Sequence, residues 1–367
     1  MNKKYSSIHY NDYLQLNKIL DAQKLRSAAF GEPAHDEMLF IIIHQVYELW
    51  FKEITHDLTS VMKMFDKESV EEADIGLAIA RINRITEIQK ILIDQIRVLE
   101  TMTSLDFLDF RNYLLPASGF QSYQFRVVEV ALGLKRKERI AYTQNVYYKV
   151  FTEEQQAYLK KLENGNSFFD LIERWLERMP FLEQESFSFL PSYKEAVKRM
   201  IQNEHEAINN ASYISTQEKE LRFKMLGDTD SYFQSVFDPN KHNERIKNGD
   251  AKLSYKASIS ALLINLYRDY PLLRQPYVLL GKIIELDENF TTWRYRHAQM
   301  VLGMLGKKIG TGGSSGYDYL SETAKKHRIF SDLNNIATLL IPRSELPDLP
   351  QKMKDQLNFH YSVQKEK

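Results

Sequence analysis

The sequence predicts an all-α protein, and three observations carry the prediction. Breakers are sparse: 367 residues hold only 14 glycines and 10 prolines, too few to punctuate a chain of short strands. Several long stretches keep their apolar residues at helical spacing. No series of alternating strands, no internal repeat and no Gly/Ser-rich linker is found along the chain.

The elements follow in order. Asp36-Glu37 opens a long amphipathic stretch, EMLFIIIHQVYELWFKEITHDLTSVMKMF. A second, EEADIGLAIARINRITEIQKILIDQIRVLE, places Ile82, Ile85, Leu92, Ile96 and Leu99 on one stripe. TSLDFLDFRNYLLP predicts a short helix with Ser104 as its cap and Pro116 as its stop. SGFQSYQFRVVEVALG resumes the helical pattern. Two further helices are expected over Glu153–Glu163 and Phe168–Glu177, the latter ending before Pro180. The polar, charge-dense stretch Ser192–Asp250 reads as a solvated helical hairpin inserted into the core. Helices return in LSYKASISALLINLY, in PYVLLGKIIELDE, and in TTWRYRHAQMVLGML with Thr291 or Thr292 as its cap. A last helix is expected at Tyr317–His327, before a tail with three prolines. The expected organisation is one large helical domain, residues 1–367, with a charged helical insertion at about 192–250.

Composition narrows the function classes. Charge is balanced, with 49 basic and 49 acidic residues, so no global field favours nucleic acid or an anionic membrane. Cysteine is absent, which removes disulfides, thiol nucleophiles, iron–sulfur clusters and thiolate-bound or covalently attached haem. The start, MNKKYSSIHYNDY, lacks a signal peptide's apolar core, and no apolar run approaches the ~20 residues of a membrane span. A soluble cytoplasmic protein is expected.

Four places could carry chemistry. His44 shares a helical face with Phe40 and Tyr47; it is either a satisfied core histidine or one with a polar task. His297 shares a stripe with Trp293, Met300, Val301 and Met304. An imidazole on such a face suits a haem, whose iron takes the ring nitrogen while the stripe covers the porphyrin; a core histidine is the alternative. No second ligand stands at zinc-helix spacing from it. Arg111 sits among Phe107, Phe110 and Tyr113, as a snorkelling surface residue or as a fork for a carboxylate. Finally, six glycines fall between Gly303 and Gly316. They match neither the P-loop nor the dinucleotide pattern, and a helix rather than a strand precedes them. Such a loop can present backbone N–H groups to a carboxylate or simply continue from a helix end.

Taken together, HDEMLFIIIHQVYELWFKE, DFRNYLLPASGFQSYQFR, WRYRHAQMVLGMLG and GTGGSSGYDYL, with YNDYLQLNKILDAQ near the start, resemble the tryptophan 2,3-dioxygenase family. The likeness runs from about Tyr10 to Pro342, and the 192–250 insertion resembles the longer, animal-type members. It implies haem b held between core helices, with O2 as co-substrate. The family's axial ligand falls on His297, beside Trp293, and its distal histidine on His44. Its carboxylate-binding arginine falls on Arg111, its aromatic wall on Phe40 and Phe107, its pocket serine on Ser118 and its loop threonine on Thr311. Tyr10, Tyr13 and Leu14 match residues that a neighbouring subunit lends to the pocket of a homotetramer built from interlocked dimers. Trp175, Arg178 and Pro180 resemble a second, surface tryptophan region, with an ordinary helix end as the alternative. The implied reaction is cleavage of the indole C2–C3 bond of L-tryptophan to N-formylkynurenine, the entry to the kynurenine route of tryptophan catabolism. Rival readings are a related haem-dependent indole monooxygenase and a non-catalytic haem- or tryptophan-binding protein.

Overall fold

A computed structural model describes residues 5–140, 147–184, 187–306, 308 and 316–359, and among these the chain is all-α. Two short helices, α1 (Tyr10–Leu14) and α2 (Leu16–Leu20), form an N-terminal arm with no buried residue. Two long helices follow, α3 (Glu37–Phe65) and α4 (Glu72–Leu99). Next come α5 (Ser104–Arg111), α6 (Tyr123–Leu132), α7 (Glu153–Glu163) and α8 (Phe168–Glu177). A two-residue antiparallel ribbon, β1 (Glu183–Gln184) with β2 (Phe187–Ser188), leads into α9 (Phe189–Asn210), α10 (Thr216–Phe237) and α11 (Pro239–Asn248). The chain then enters α12 (Tyr255–Leu266), α13 (Pro271–Leu305) and α14 (Gly316–Lys326). Two short helices, α15 (Ser331–Asn335) and α16 (Gln351–Leu357), complete it.

The packing follows from the apolar stripes. On α3, Ile54, Leu58, Val61 and Phe65 recur every three or four residues and are at most 1% exposed. On α4 the five residues of the expected stripe are all buried. The two helices pack on each other and α4 packs along α13, so α3, α4 and α13 form the frame, with α6 against α3 and α14 against α13. Gly133 ends α6 at φ +121°, in the region that favours glycine. A Cβ there would meet Phe169 Cβ at 2.8 Å and Ser167 Oγ at 2.9 Å, so this glycine lets the end of α6 approach the start of α8.

Two sequence expectations are corrected. Ser104 is not the cap of α5. Thr103 is: its hydroxyl accepts from Asp106 N at 3.3 Å while Asp106 accepts from Thr103 N at 2.9 Å, a reciprocal capping box. Ser104 instead donates to Gly303 O at 3.2 Å, tying α5 to α13. Nor do Thr291 and Thr292 begin a helix. PYVLLGKIIELDE and TTWRYRHAQMVLGML belong to one 35-residue helix, α13, and Thr291 Oγ1 donates back to Asp287 O at 3.0 Å. Such back-bonding lets threonine sit inside a helix without ending it. The 192–250 region contains α9 and α10 side by side and a third helix, α11, whose buried His242 meets Leu253 O at 2.9 Å through Nε2.

Candidate functional site

A cavity of about 290 Å³ lies between α3, α5, the N-terminal end of α6, α13 and α14. One face comes from α3, where Phe40, His44, Tyr47, Glu48 and Phe51 fall on successive turns. A second part of the wall comes from α13, where Trp293, His297, Met300, Val301 and Met304 all line the space. Both stripes read from the sequence therefore face one cavity. Phe107 and Arg111 of α5 and Ser118 of the following turn line it too.

His44 is open to the cavity and crowded by the groups around it. Burial pushes its pKa below the usual imidazole value, partly opposed by a hydrogen bond to Phe40. That bond joins Nδ1 to Phe40 O at 2.7 Å. A carbonyl only accepts, so Nδ1 carries the proton and Nε2 keeps its lone pair. The ring also packs on Phe40, with centroids 4.1 Å apart. Phe40 in turn meets Phe107 at 5.6 Å, so the aromatic wall is continuous.

His297 also lines the cavity, and burial, with a smaller contribution from His44, pushes its pKa down to about 4. The ring is thus neutral near pH 7. Trp293 stacks on it, centroids 5.5 Å apart. Trp293 Nε1 is buried and, although turned toward the Tyr47 hydroxyl, closes no hydrogen bond of good geometry among the described residues. Tyr47 donates to Leu92 O at 2.8 Å.

Beyond these lies a charged cluster that the sequence reading did not single out. Glu129, 2% exposed, receives Arg294 at 3.0 Å, Arg139 at 2.8 Å and Arg126. His327 Nδ1 stands 3.7 Å from Glu129, an electrostatic contact beyond hydrogen-bond length. Burial alone would raise the Glu129 carboxyl, but the three guanidiniums outweigh it and hold the group well below the carboxylate range. Arg126, Glu129, Arg294 and His327 all reach the cavity. The available signal was a charged residue within an otherwise apolar helix, as in FRVVEVAL. Glu48, one turn past His44, was also missed; burial raises its pKa against the opposing Ser122 hydroxyl and Gln124 N–H.

The remaining expected residues stand apart. Tyr10 and Tyr13 are 68% and 71% exposed, and with Leu14 they lie on the arm and do not line this cavity within their own chain. Thr311 and most of the glycine loop lie outside the described residues. Trp175 packs edge-on to Phe65 at 5.7 Å, and Arg178 donates to Lys67 O and Glu68 O. That region is occupied with packing and with capping the turn after α3.

The donor set constrains what the cavity can hold. No group of three or more His, Asp or Glu side chains able to bind a bare ion occurs among the described residues. A metal at His297 must therefore bring its other ligands with it, as a macrocycle does. A neutral imidazole, apolar walls, an unsatisfied Trp293 N–H and a nearby guanidinium cluster fit a flat group with an anionic edge.

The fold and cavity define a helical protein with a largely apolar site lined by two neutral histidines. The matching family model is that of tryptophan 2,3-dioxygenase, over residues 1–340. The chain is 49% identical to the tryptophan 2,3-dioxygenase of Bdellovibrio bacteriovorus, over 98% of this chain and 100% of that protein. It is 45% identical to those of Alteromonas mediterranea and Dictyostelium discoideum, over 98% and 97% of this chain and 99% and 89% of theirs. The chain belongs to the tryptophan 2,3-dioxygenase family.

Proposed function

We propose that the protein inserts both atoms of O2 across the indole C2–C3 bond of L-tryptophan, giving N-formylkynurenine. The carrying observation is the pair of neutral imidazoles, His44 and His297, lining one apolar cavity with Arg111 on its wall. His297 would hold the iron of haem b, with Trp293 and the methionine stripe lining the space for its ring and Arg126 and Arg294 available as counter-charge for its carboxylates. The bound haem supplies the redox chemistry with dioxygen.

The chain's own residues then bind and orient the substrate. Arg111 pairs with the carboxylate through its planar fork. Phe40 and Phe107 confine the indole plane. Nε2 of His44, kept bare because Nδ1 is committed to Phe40 O, accepts the indole N–H. Ser118 completes the wall, and Thr311 with the glycine loop contacts the ammonium–carboxylate end. Burial excludes water, and fixing the two reactants together contributes much of the rate.

We further propose a cytoplasmic homotetramer in which the exposed arm carries Tyr10, Tyr13 and Leu14 to a neighbour's pocket. No described helix is long and apolar enough to cross a membrane. The test is a reduced, haem-loaded sample given tryptophan and air. Formylkynurenine absorbance and a product heavier by two oxygen atoms are expected. A gain of one oxygen, or no oxygen consumption, overturns the reading.

A further inference from the structure

Phe30 is a large aromatic that the core does not need: it is 56% exposed. Its ring nevertheless lies parallel to Tyr113, with centroids 5.0 Å apart and 1° between the planes. The Arg26 guanidinium sits 5.1 Å from the same ring. Tyr113 belongs to the 3-10 turn Asn112–Leu114, which begins directly after Arg111 at the end of α5. The stack therefore grips the chain two residues from the proposed carboxylate clamp.

The segment that carries Phe30 is itself fixed. The Glu37 carboxylate, 1% exposed, accepts from Arg26 N at 2.7 Å and Ser27 N at 2.9 Å. Ser27 Oγ accepts from Ala34 N at 2.9 Å. Glu37 opens α3, the helix that bears Phe40 and His44. Phe40 holds α5 from inside through Phe107 and Phe110, at 5.6 and 5.5 Å. The start of α3 thus secures α5 twice, through an inner aromatic triad and an outer Arg26–Phe30–Tyr113 stack.

We infer that Phe30 is a positioning residue for Arg111: its stack on Tyr113 fixes the end of α5 so that the guanidinium meets the substrate carboxylate without a further ordering cost. This rests on the reading of Arg111 as the clamp. Because the stack acts through Arg111, its loss is felt by ligands that carry a carboxylate and not by those without one.

The test uses the haem-loaded full-length chain and four forms: wild type, Phe30→Ala, Phe30→Tyr and Arg111→Ala. Affinities for L-tryptophan and for tryptamine, its carboxylate-free analogue, are measured by calorimetry beside kcat and KM. Phe30→Ala is expected to raise the tryptophan Kd and KM by about three- to tenfold, with tryptamine affinity and the unfolding midpoint held near wild type. Phe30→Tyr, which retains the stacking face, restores tryptophan binding. Arg111→Ala loses more than Phe30→Ala. If Arg111→Ala weakens tryptophan but Phe30→Ala does not, or if Phe30→Ala weakens both ligands equally, the positioning role is wrong. If Arg111→Ala leaves tryptophan affinity intact, the clamp reading fails and the role of Phe30 falls with it.

Discussion

Replacing Glu129 by Gln tests the charged cluster on which the cavity rests. The side chain is 2% exposed and receives three guanidiniums, those of Arg126, Arg139 and Arg294, which are themselves at most 10% exposed. At an effective dielectric constant of ~20, one such pair at the 3.0 Å of Arg294 attracts by roughly 5 kcal/mol. Much of that gain offsets desolvation. The larger effect of the substitution is to leave buried cations facing one another, and breaking a buried pair in this way costs about 3–5 kcal/mol. With an unfolding entropy of ~2.1 cal/mol/K per residue over this chain, the midpoint should fall by about 4–6 °C.

The assay is thermal unfolding, followed by helical circular dichroism, of both forms at neutral pH and on acidification. Because the folded carboxyl is held well below its ordinary value, its contribution is complete above the unfolded pKa of ~4.3 and is lost as pH falls through the folded value. The gap between wild type and Glu129→Gln should therefore persist down to about pH 4 and close only below it. A midpoint within about 1 °C of wild type at pH 7 would refute the reasoning, as would a gap that closes near neutrality.

Three further outcomes are expected. Arg111→Ala should weaken tryptophan binding more than His44→Ala, because it removes a charge-assisted pair worth about 1.5–3 kcal/mol and His44→Ala a neutral hydrogen bond worth about 1; titration calorimetry with equal losses would contradict this. His297→Ala should abolish normal haem ligation, and an unchanged ferrous absorption spectrum would count against the assignment. Gly133→Ala should destabilise by about 1–3 kcal/mol, because of the +121° φ and the 2.8 Å approach to Phe169; a chemical-denaturation midpoint equal to wild type would remove the argument for close packing there.

Much of the site was legible because helical periodicity is a local property. Phe40, His44 and Tyr47 share a face by spacing alone, as do Trp293, His297 and Met304, and both faces line the cavity. The boundaries Glu153–Glu163 and Phe168–Glu177 were legible for the same reason: Thr152 and Ser167 are local caps. What misled was also local. Thr291 resembles a cap, yet the helix runs through it, because buried residues before it, Leu286 and Phe290, and after it, Ala298, keep the helix packed.

The sequence by itself determined the all-α class, most of the helices and the two histidine stripes, since each depends on residues within a few turns of one another. Only the tertiary structure decided that the stripes line one cavity, that Glu129 gathers arginines from α6, α13 and the segment after α6, and that Phe30 rests on Tyr113. Those contacts join residues far apart in the chain, for example Glu129 and Arg294, which are 165 positions apart. No local pattern encodes which buried charge will meet which. That is settled when the long helices dock and leave an unpaired charge nowhere cheaper to go.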